Sequence, residues 1–151
     1  MKLYIDGDAL PNILKPILLR AIDKNNIDSY VVSNKKISLG AHSKNIHYII
    51  VEAGADEADN HIVEMLDRDD LVITADIPLA DRTISKNAHA IDHRGETYTQ
   101  DNIKQYLAIR DLMQSIRDSG ETTKGPKPFS AKDAQYFANS LNKFLQQYLV
   151  S

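Results

Sequence analysis

Acidic side chains follow two short apolar runs of the sequence. Asp6 and Asp8 come at the end of the apolar run at residues 3–5, and Asp76 comes after the run at residues 71–74. A carboxylate at the end of a strand lies outside the hydrogen-bond ladder, where it can face solvent or a metal ion. We therefore interpret these acids as candidate catalytic residues, while helix capping by Asp8 remains an open alternative.

A third acidic group opens the amphipathic segment 55–66. Asp59 lies three residues after Asp56, so the two side chains share a helical face. Asp59 also shares a face with Ile62 and Val63, whose apolar side chains are expected to point at the core. Asp59 is therefore predicted on the inner side of the helix, where it joins the catalytic candidates. Acids in a first helical turn also complement the helix dipole, and this is the competing structural role.

Crowding of these carboxylates points to a divalent metal. Close carboxylates repel one another, and one of them takes up a proton unless a cation intervenes. Mg²⁺ and Mn²⁺ prefer oxygen ligands, and the chain contains no cysteine for a thiolate site. Thr74 is predicted to hydrogen-bond a carboxylate or a metal-bound water. The predicted metal ligands are Asp6, Asp56, Asp59, Asp76 and, as the weakest candidate, Asp81.

Apolar and amphipathic segments alternate over residues 1–94. Strands are predicted at residues 2–6, 29–33, 46–51, 71–74 and 88–91, and helices at residues 13–22, 55–66 and 77–86. Such alternation predicts an α/β fold in which helices cover both faces of a mainly parallel sheet, a three-layer α/β/α sandwich. Ligands of these folds bind beyond the carboxyl ends of the strands, which is where the acids are expected.

Helices are also predicted in the last third of the chain. They cover residues 99–117 and 130–149, and the Gly/Pro-containing segment 118–129 between them is predicted to be a flexible loop. Ser130 and Asp133 have the spacing of a capping box at the start of the last helix. We interpret residues 1–151 as one domain.

Charge and hydropathy restrict the functions that are open to the chain. With 18 Lys and Arg against 21 Asp and Glu among 151 residues, the formal net charge is -3. This balance argues against a broad basic footprint for nucleic acid, so contact with a phosphate backbone is expected to be local or through metal ions. The predicted substrate contacts are Thr74, Arg82, Arg94, Lys124 and Lys127.

The sequence also bears on the compartment. The first residues are charged almost at once and do not predict a signal peptide. No apolar run approaches the ~20 residues that a membrane span needs. We therefore expect a cytoplasmic protein without membrane contact, and the sequence leaves its oligomeric state open.

Several motifs together resemble a known family. They are residues 5–9 (IDGDA), 54–59 (GADEAD), 71–80 (LVITADIPLA), 93–96 (HRGE) and 127–130 (KPFS). In combination these motifs resemble the uncharacterised YaiI/YqxD family of bacterial proteins over nearly the whole chain. That family is similar to PIN-like and NYN-like nuclease domains, which use clustered acids and Mg²⁺ or Mn²⁺ to cut RNA.

The resemblance implies roles for individual residues. Asp6 corresponds to the first acid, Asp59 or Asp56 to the second and Asp76 to the third, with Asp81 as a fourth. The implied substrate is single-stranded RNA or another nucleic acid. The family usually has a cysteine before its early proline, whereas this chain has leucine at position 10. This difference argues against a role for a thiol.

Two other functions remain open beside a metal-dependent nuclease. Asp6 and Asp8 also fit the Asp-x-Asp opening of haloacid-dehalogenase phosphatases, in which Asp6 would be the nucleophile and Asp8 the acid and base. Leu10 departs from the Thr or Val usual in that motif, and no later lysine motif is apparent. Alternatively, the domain binds nucleic acid or a protein without catalysis, because a fold does not by itself imply a function.

Overall fold

The computed structural model describes residues 1–54, 56–122, 125 and 127–149. The strands are β1 (Leu3–Asp6), β2 (Ser29–Ser33), β3 (Ile46–Ile50), β4 (Leu71–Ile73), β5 (His89–Ile91) and β6 (Thr97–Tyr98). The helices are α1 (Lys15–Asn25), α2 (Glu57–Met65), α3 (Ile77–Ser85), α4 (Ile103–Asp118) and α5 (Ala131–Leu149). A short 3-10 turn, Asn12–Leu14, leads into α1.

The six strands form one sheet in the order β3-β2-β1-β4-β5-β6. Strands β1 to β5 pair in parallel, and β6 pairs antiparallel with β5. The chain builds outward from β1 to β3, then returns to the other side of β1 with β4. The order therefore reverses between β1 and β4, which is the position where open α/β sheets leave a crevice for ligands.

Helices cover both faces of the sheet, which confirms the predicted three-layer α/β architecture. Alternate side chains of β1 point to opposite faces, so Leu3 and Ile5 enter one core and Tyr4 enters another. Helices α1 and α5 pack on the face of Leu3 and Ile5. Helices α2 and α3 pack on the face of Tyr4, and α4 packs beside α3 over β5 and β6.

Element boundaries differ from the predictions for identifiable reasons. Helix α1 begins only at Lys15, with Pro16 in its first turn, where the missing N–H costs no helical hydrogen bond. Helix α4 begins at Ile103 because Thr99 and Asn102 exchange hydrogen bonds of 2.8 and 3.2 Å that form the preceding turn. The two-residue strand β6 was not predicted, since so short a segment carries no alternation pattern.

The loop after β5 fastens the last helix to the sheet. Arg94 donates a hydrogen bond of 2.7 Å to Asp133 and a second bond to the carbonyl oxygen of Lys127. The predicted capping box is present, since Ser130 N–H donates to Asp133 at 3.0 Å and Asp133 N–H donates to the Ser130 hydroxyl at 3.3 Å. The start of α5 is thereby held close to β5. Within the described residues, no helix has the length and apolar character to span a membrane.

Candidate functional site

A cavity of about 380 Å³ opens at the carboxyl ends of β1 and β4, at the point where the strand order reverses. We call it the carboxylate cavity. Six carboxylate side chains line it, together with one imidazole and four small residues, and no Lys or Arg is among the described lining residues. The acids are Asp6, Asp8, Asp56, Glu57, Asp59 and Asp76. The acids predicted from three distant segments therefore meet at one edge of the sheet.

Thr74 connects the two strand-end acids. Its hydroxyl donates a hydrogen bond of 2.9 Å to Asp6 Oδ2 and accepts one of 3.0 Å from the backbone N–H of Asp76. Thr74 had been predicted to contact a substrate. Its side chain is fully buried between these acids, so it is not placed to make that contact. The contact that was also predicted, with a carboxylate, is the one observed. It holds Asp6 in a defined orientation at the end of β1.

Backbone amides hold one oxygen of Asp8 and one of Asp76. Asp8 Oδ1 accepts a hydrogen bond of 2.7 Å from Asn34 N–H, so Asp8 does not cap the following helix. Asp76 Oδ1 accepts a bond of 2.9 Å from Leu79 N–H and caps α3. In the described part of the chain the second oxygen of each carboxylate makes no hydrogen bond. These oxygens are free to bind a cation or water.

The first turn of α2 brings a second group of acids to the cavity. Asp56 adopts a left-handed backbone with φ of 66°, makes no capping hydrogen bond, and precedes a helix that starts at Glu57. Asp59, one turn further, is half-buried beside Asp6 and Asp76. Burial, with smaller contributions from the negative charges of Asp76, Asp6 and Asp56, raises the pKa of Asp59 to about 7, although the charge of Arg82 acts in the opposite direction.

Asp6 shares this environment. Burial raises the pKa of Asp6, although the hydrogen bonds from Thr74 and from the Asp8 backbone act in the opposite direction. The charges of Asp8 and Asp76 add to the effect of burial. The raised pKa values show that these close carboxylates are costly to ionise together, and a bound cation would relieve that repulsion.

His93 also lines the cavity, although it is not among the site residues predicted from the sequence. The residue lies two positions after β5 and is 6% exposed. Burial lowers the pKa of His93 to about 4, with a smaller effect from the charge of Arg94, so the ring is neutral at pH 7. Its buried Nε2 has no hydrogen-bond partner within the described residues. Its position beyond a strand end was the signal in the sequence.

The acids suit a hard cation that keeps part of its water shell better than a cation enclosed entirely by protein side chains. Across residues 1–54, 56–122, 125 and 127–149, no three His, Asp or Glu side chains are grouped closely enough to enclose one ion. Mg²⁺ usually retains several waters and is bound through only one or two carboxylates. The oxygen donors on the two adjacent strand ends suit that type of coordination, whereas a closed protein cage is not formed.

Other predicted site residues are not among the described residues that line the carboxylate cavity. Asp81 is half-buried on α3 and is not among the described lining residues. Arg82 is exposed and donates a hydrogen bond of 2.8 Å to Asn60. The guanidinium of Arg94 donates its hydrogen bonds to Asp133 and to the Lys127 carbonyl oxygen at the start of α5. Lys127 is exposed in the loop before α5, and Lys124 lies outside the described residues.

The raised pKa of Asp59 predicts a pH-dependent stability. An acid whose pKa rises from 3.8 to about 7 on folding is easier to ionise in the unfolded chain, so its ionisation destabilises the fold as pH increases through this range. We expect Asp59→Asn to be more stable than the wild type by about 1–2 kcal/mol at pH 8, well below the full pKa shift because solvent screens a half-exposed group. At pH 4 the gain is expected to vanish.

Urea unfolding in metal-free buffer at the two pH values measures this difference. Glu64→Gln provides the matched control, because Glu64 is an exposed acid on the same helix and does not line the cavity. An equal gain in stability for Asp59→Asn at pH 4 and pH 8 would show that ionisation of Asp59 does not destabilise the fold.

Together, the fold and the site define a class of protein: an α/β sandwich with a carboxylate cavity at the switch point of a mainly parallel sheet. The chain belongs to the uncharacterised YaiI/YqxD family, whose model matches residues 4–147. The resemblance of the motifs to this family is thereby confirmed.

Bacterial relatives match along nearly their whole length. A UPF0178 protein of Sulfurimonas denitrificans is 67% identical over 150 residues, covering 99% of each chain. A UPF0178 protein of a Sulfurovum species is 63% identical over 145 residues, covering 96% of this chain and 97% of the relative. No solved structure matches the chain significantly. The comparisons therefore give the family, and the activity has to be argued from the site.

Proposed function

We propose that this protein is a divalent-metal-dependent nuclease that hydrolyses phosphodiester bonds in single-stranded RNA. One observation carries the proposal: acids from the ends of β1 and β4 and from the first turn of α2 line one cavity, with no Lys or Arg lining it in the described residues. An anionic substrate would be repelled by such a cavity, so a cation has to neutralise it first. The likeness to PIN-like nucleases expected from the motifs agrees with this arrangement.

The acids take different parts in the proposed site. Asp6 and Asp76 hold the metal, because they lie on adjacent strand ends. The Thr74 hydroxyl orients the Asp6 carboxylate and accepts a hydrogen bond from the backbone N–H of Asp76. Asp59 and Asp56 approach from α2, and Asp8 is placed to orient the attacking water. Mg²⁺ or Mn²⁺ bound here supplies charge neutralisation, activation of water and stabilisation of the leaving oxygen.

Substrate binding in this proposal depends on local positive charge. The chain as a whole is acidic, so the metal provides the main attraction for the phosphate group. The exposed side chain of Lys127, in the loop before α5, is a candidate contact for the RNA backbone, as are Lys124 and Arg82. Arg94 contributes by holding that loop in place through Asp133 and the Lys127 carbonyl.

A phosphatase reaction through Asp6 has less support. No lysine is among the described residues that line the cavity. Trapping of a phosphate analogue on Asp6 is therefore not expected.

Binding of Mn²⁺ provides a first test. At a concentration 100 times its Kd, an ion that binds only the folded protein stabilises it by about 2.7 kcal/mol. We expect Mn²⁺ to raise the unfolding midpoint of the wild type, and to do so more at pH 8 than at pH 6. The reason is that Asp59, with its pKa near 7, loses its proton between these values, and metal competes with protons for the same acids.

Thermal unfolding with and without Mn²⁺ measures this effect, and incubation of the same protein with labelled single-stranded RNA tests catalysis directly. The Asp6→Asn, Asp76→Asn double variant is expected to lose the stabilisation by metal. Equal stabilisation of the double variant and the wild type would place the metal elsewhere and contradict the proposed site.

A further inference from the structure

A second cavity lies at the opposite edge of the sheet from the carboxylate cavity. Its volume is about 620 Å³, within the range typical of small-molecule sites. It lies beside the amino end of β5, next to β6 and under the last turns of α5, and we call it the α5 cavity. Its wall includes Arg68, His89, Tyr98, Lys143, Phe144 and Tyr148. None of these residues takes part in the proposed nuclease site.

Aromatic rings form one side of the α5 cavity. Phe144 and Tyr148 stack with their centroids 4.4 Å apart, and His89 lies 5.1 Å from Phe144 and 4.6 Å from Tyr148. Phe144 is buried, whereas Tyr148 is 39% exposed. Tyr148 also lines the cavity, so the exposed part of its ring is available for a planar group to stack on.

Positive charge lies on the rim of the same cavity. Arg68 and Lys143 line it, are exposed, and make no ion pair with any described residue. Asp69, which also lines the cavity, lies 3.2 Å from the His89 ring nitrogen, so its charge is directed toward that ring. With Arg68 and Lys143 against the single carboxylate of Asp69 among its described lining residues, the α5 cavity favours an anionic ligand more than the carboxylate cavity does. A phosphate group suits this pair of cations.

Side-chain amides complete the lining. Asn87 and Gln147 contribute groups that donate and accept hydrogen bonds, and Gln100 lies nearby with its amide directed to the Ile84 carbonyl at 3.4 Å. Asn and Gln side chains are well suited to the edges of nucleobases, since they can offer a donor and an acceptor together. An aromatic surface, paired cations and amides in one cavity are the features that recognise a base and its phosphate.

We propose that the α5 cavity binds a nucleotide, either free or as part of a strand. The base stacks on Tyr148, the phosphate lies between Arg68 and Lys143, and Asn87 or Gln147 meets the edge of the base. The inference goes beyond the proposed nuclease activity and rests on different residues. It stands or falls separately from the carboxylate cavity.

Titration with defined probes, followed by NMR or calorimetry, tests the proposal. The probes are adenosine 5′-monophosphate, uridine 5′-monophosphate, adenosine, inorganic phosphate and a short oligoadenylate, all without divalent metal. We expect the monophosphates to bind more tightly than adenosine or phosphate alone, because each of these retains only part of the recognised group. Tyr148→Leu is expected to weaken binding of the monophosphate roughly 10-fold or more, by loss of stacking.

Matched variants on α5 separate this site from general surface effects. Lys143→Gln is expected to weaken monophosphate binding and leave adenosine unaffected, since Lys143 contacts only the phosphate. Tyr136→Leu and Lys132→Gln are the controls, because both residues are exposed on the same helix and lie outside the cavity. All four side chains are exposed, so urea unfolding should show each variant folded like the wild type.

The outcomes are distinct. Monophosphate binding that depends on Tyr148 and Lys143 identifies a free nucleotide as the ligand, and oligoadenylate binding alone with the same dependence identifies a strand. Absence of saturable binding by every probe at millimolar concentration, or equal loss in the control variants, would overturn the proposal. Nucleotide binding without Mn²⁺-dependent cleavage would instead refute the nuclease activity and leave this site in place.

Discussion

The Asp6→Asn, Asp76→Asn double variant is expected to cleave single-stranded RNA at least about 100-fold more slowly than the wild type in Mn²⁺. That figure is the upper end of the loss caused by removing outer-shell partners of a metal site, and these acids are proposed to bind the metal directly. Asparagine keeps the size of each side chain and still accepts the hydrogen bonds from Thr74 and Leu79 N–H. The variant therefore removes both charges and keeps these two contacts, and of the hydrogen bonds to Asp6 it loses only the 3.4 Å bond from Asp8 N–H.

Single-turnover cleavage of a labelled RNA, with unfolding curves for both proteins, provides the measurement. The control is Asp101→Asn with Asp111→Asn, which removes two exposed acids outside the cavity and should leave the rate unchanged. If the Asp6 and Asp76 variant cleaves RNA as fast as the wild type, the carboxylate cavity is not the site of the reaction.

Gly95→Ala is expected to destabilise the protein by about 2–5 kcal/mol, the sum of backbone strain and overpacking. Gly95 has a φ of +91°, in the region that favours glycine. A Cβ atom there would lie 2.7 Å from the backbone oxygen of Tyr136 and 2.9 Å from the Ser140 hydroxyl oxygen. The Ser140 hydroxyl also donates a hydrogen bond of 2.7 Å to the Gly95 carbonyl. The added methyl group would push α5 away from the loop after β5.

Gly120→Ala separates the two causes of this loss. Gly120 has a nearly identical φ of +89°, but a Cβ atom there would meet no heavy atom within 4 Å among the described residues. Its loss is expected to be about 1–2 kcal/mol, from backbone strain alone. Urea unfolding of both variants measures the difference. Equal losses of stability would show that the close contact of Gly95 with α5 does not contribute to the effect of the substitution.

Much of the sheet followed from hydrophobic pattern alone. The strand predicted at residues 29–33 agrees with β2, and the other predicted strands differ from β1, β3, β4 and β5 by one residue at an end. A strand that is buried on both faces of a parallel sheet needs a continuous run of apolar residues, and such a run can be recognised from the local sequence. Segments that lack such a signal were missed or displaced. Strand β6 exists because Thr97 and Tyr98 find a partner in β5, which is a non-local pairing.

The candidate site was partly predictable for the same reason. Asp6 and Asp76 follow strands, and the carboxyl ends of parallel neighbouring strands lie at one edge of the sheet. The left-handed backbone of Asp56 was not predictable, since a non-glycine residue with positive φ carries no sequence pattern. The hydrogen bond from Arg94 to Asp133 was also not predictable, because it joins residues 39 positions apart.

The hydrophobic pattern predicted the helices, every strand except β6, and the acids that follow β1 and β4, because periodicity and composition are properties of short windows. Tertiary structure decided what these acids do together. The placement of β4 beside β1 brings Asp76 to Asp6, and the packing of α2 on that face adds Asp59 and raises its pKa. The pairing of β5 with β4 brings His93, two residues after β5, to the same cavity. Proximity and burial arise only when distant segments share a core, and no local pattern encodes them.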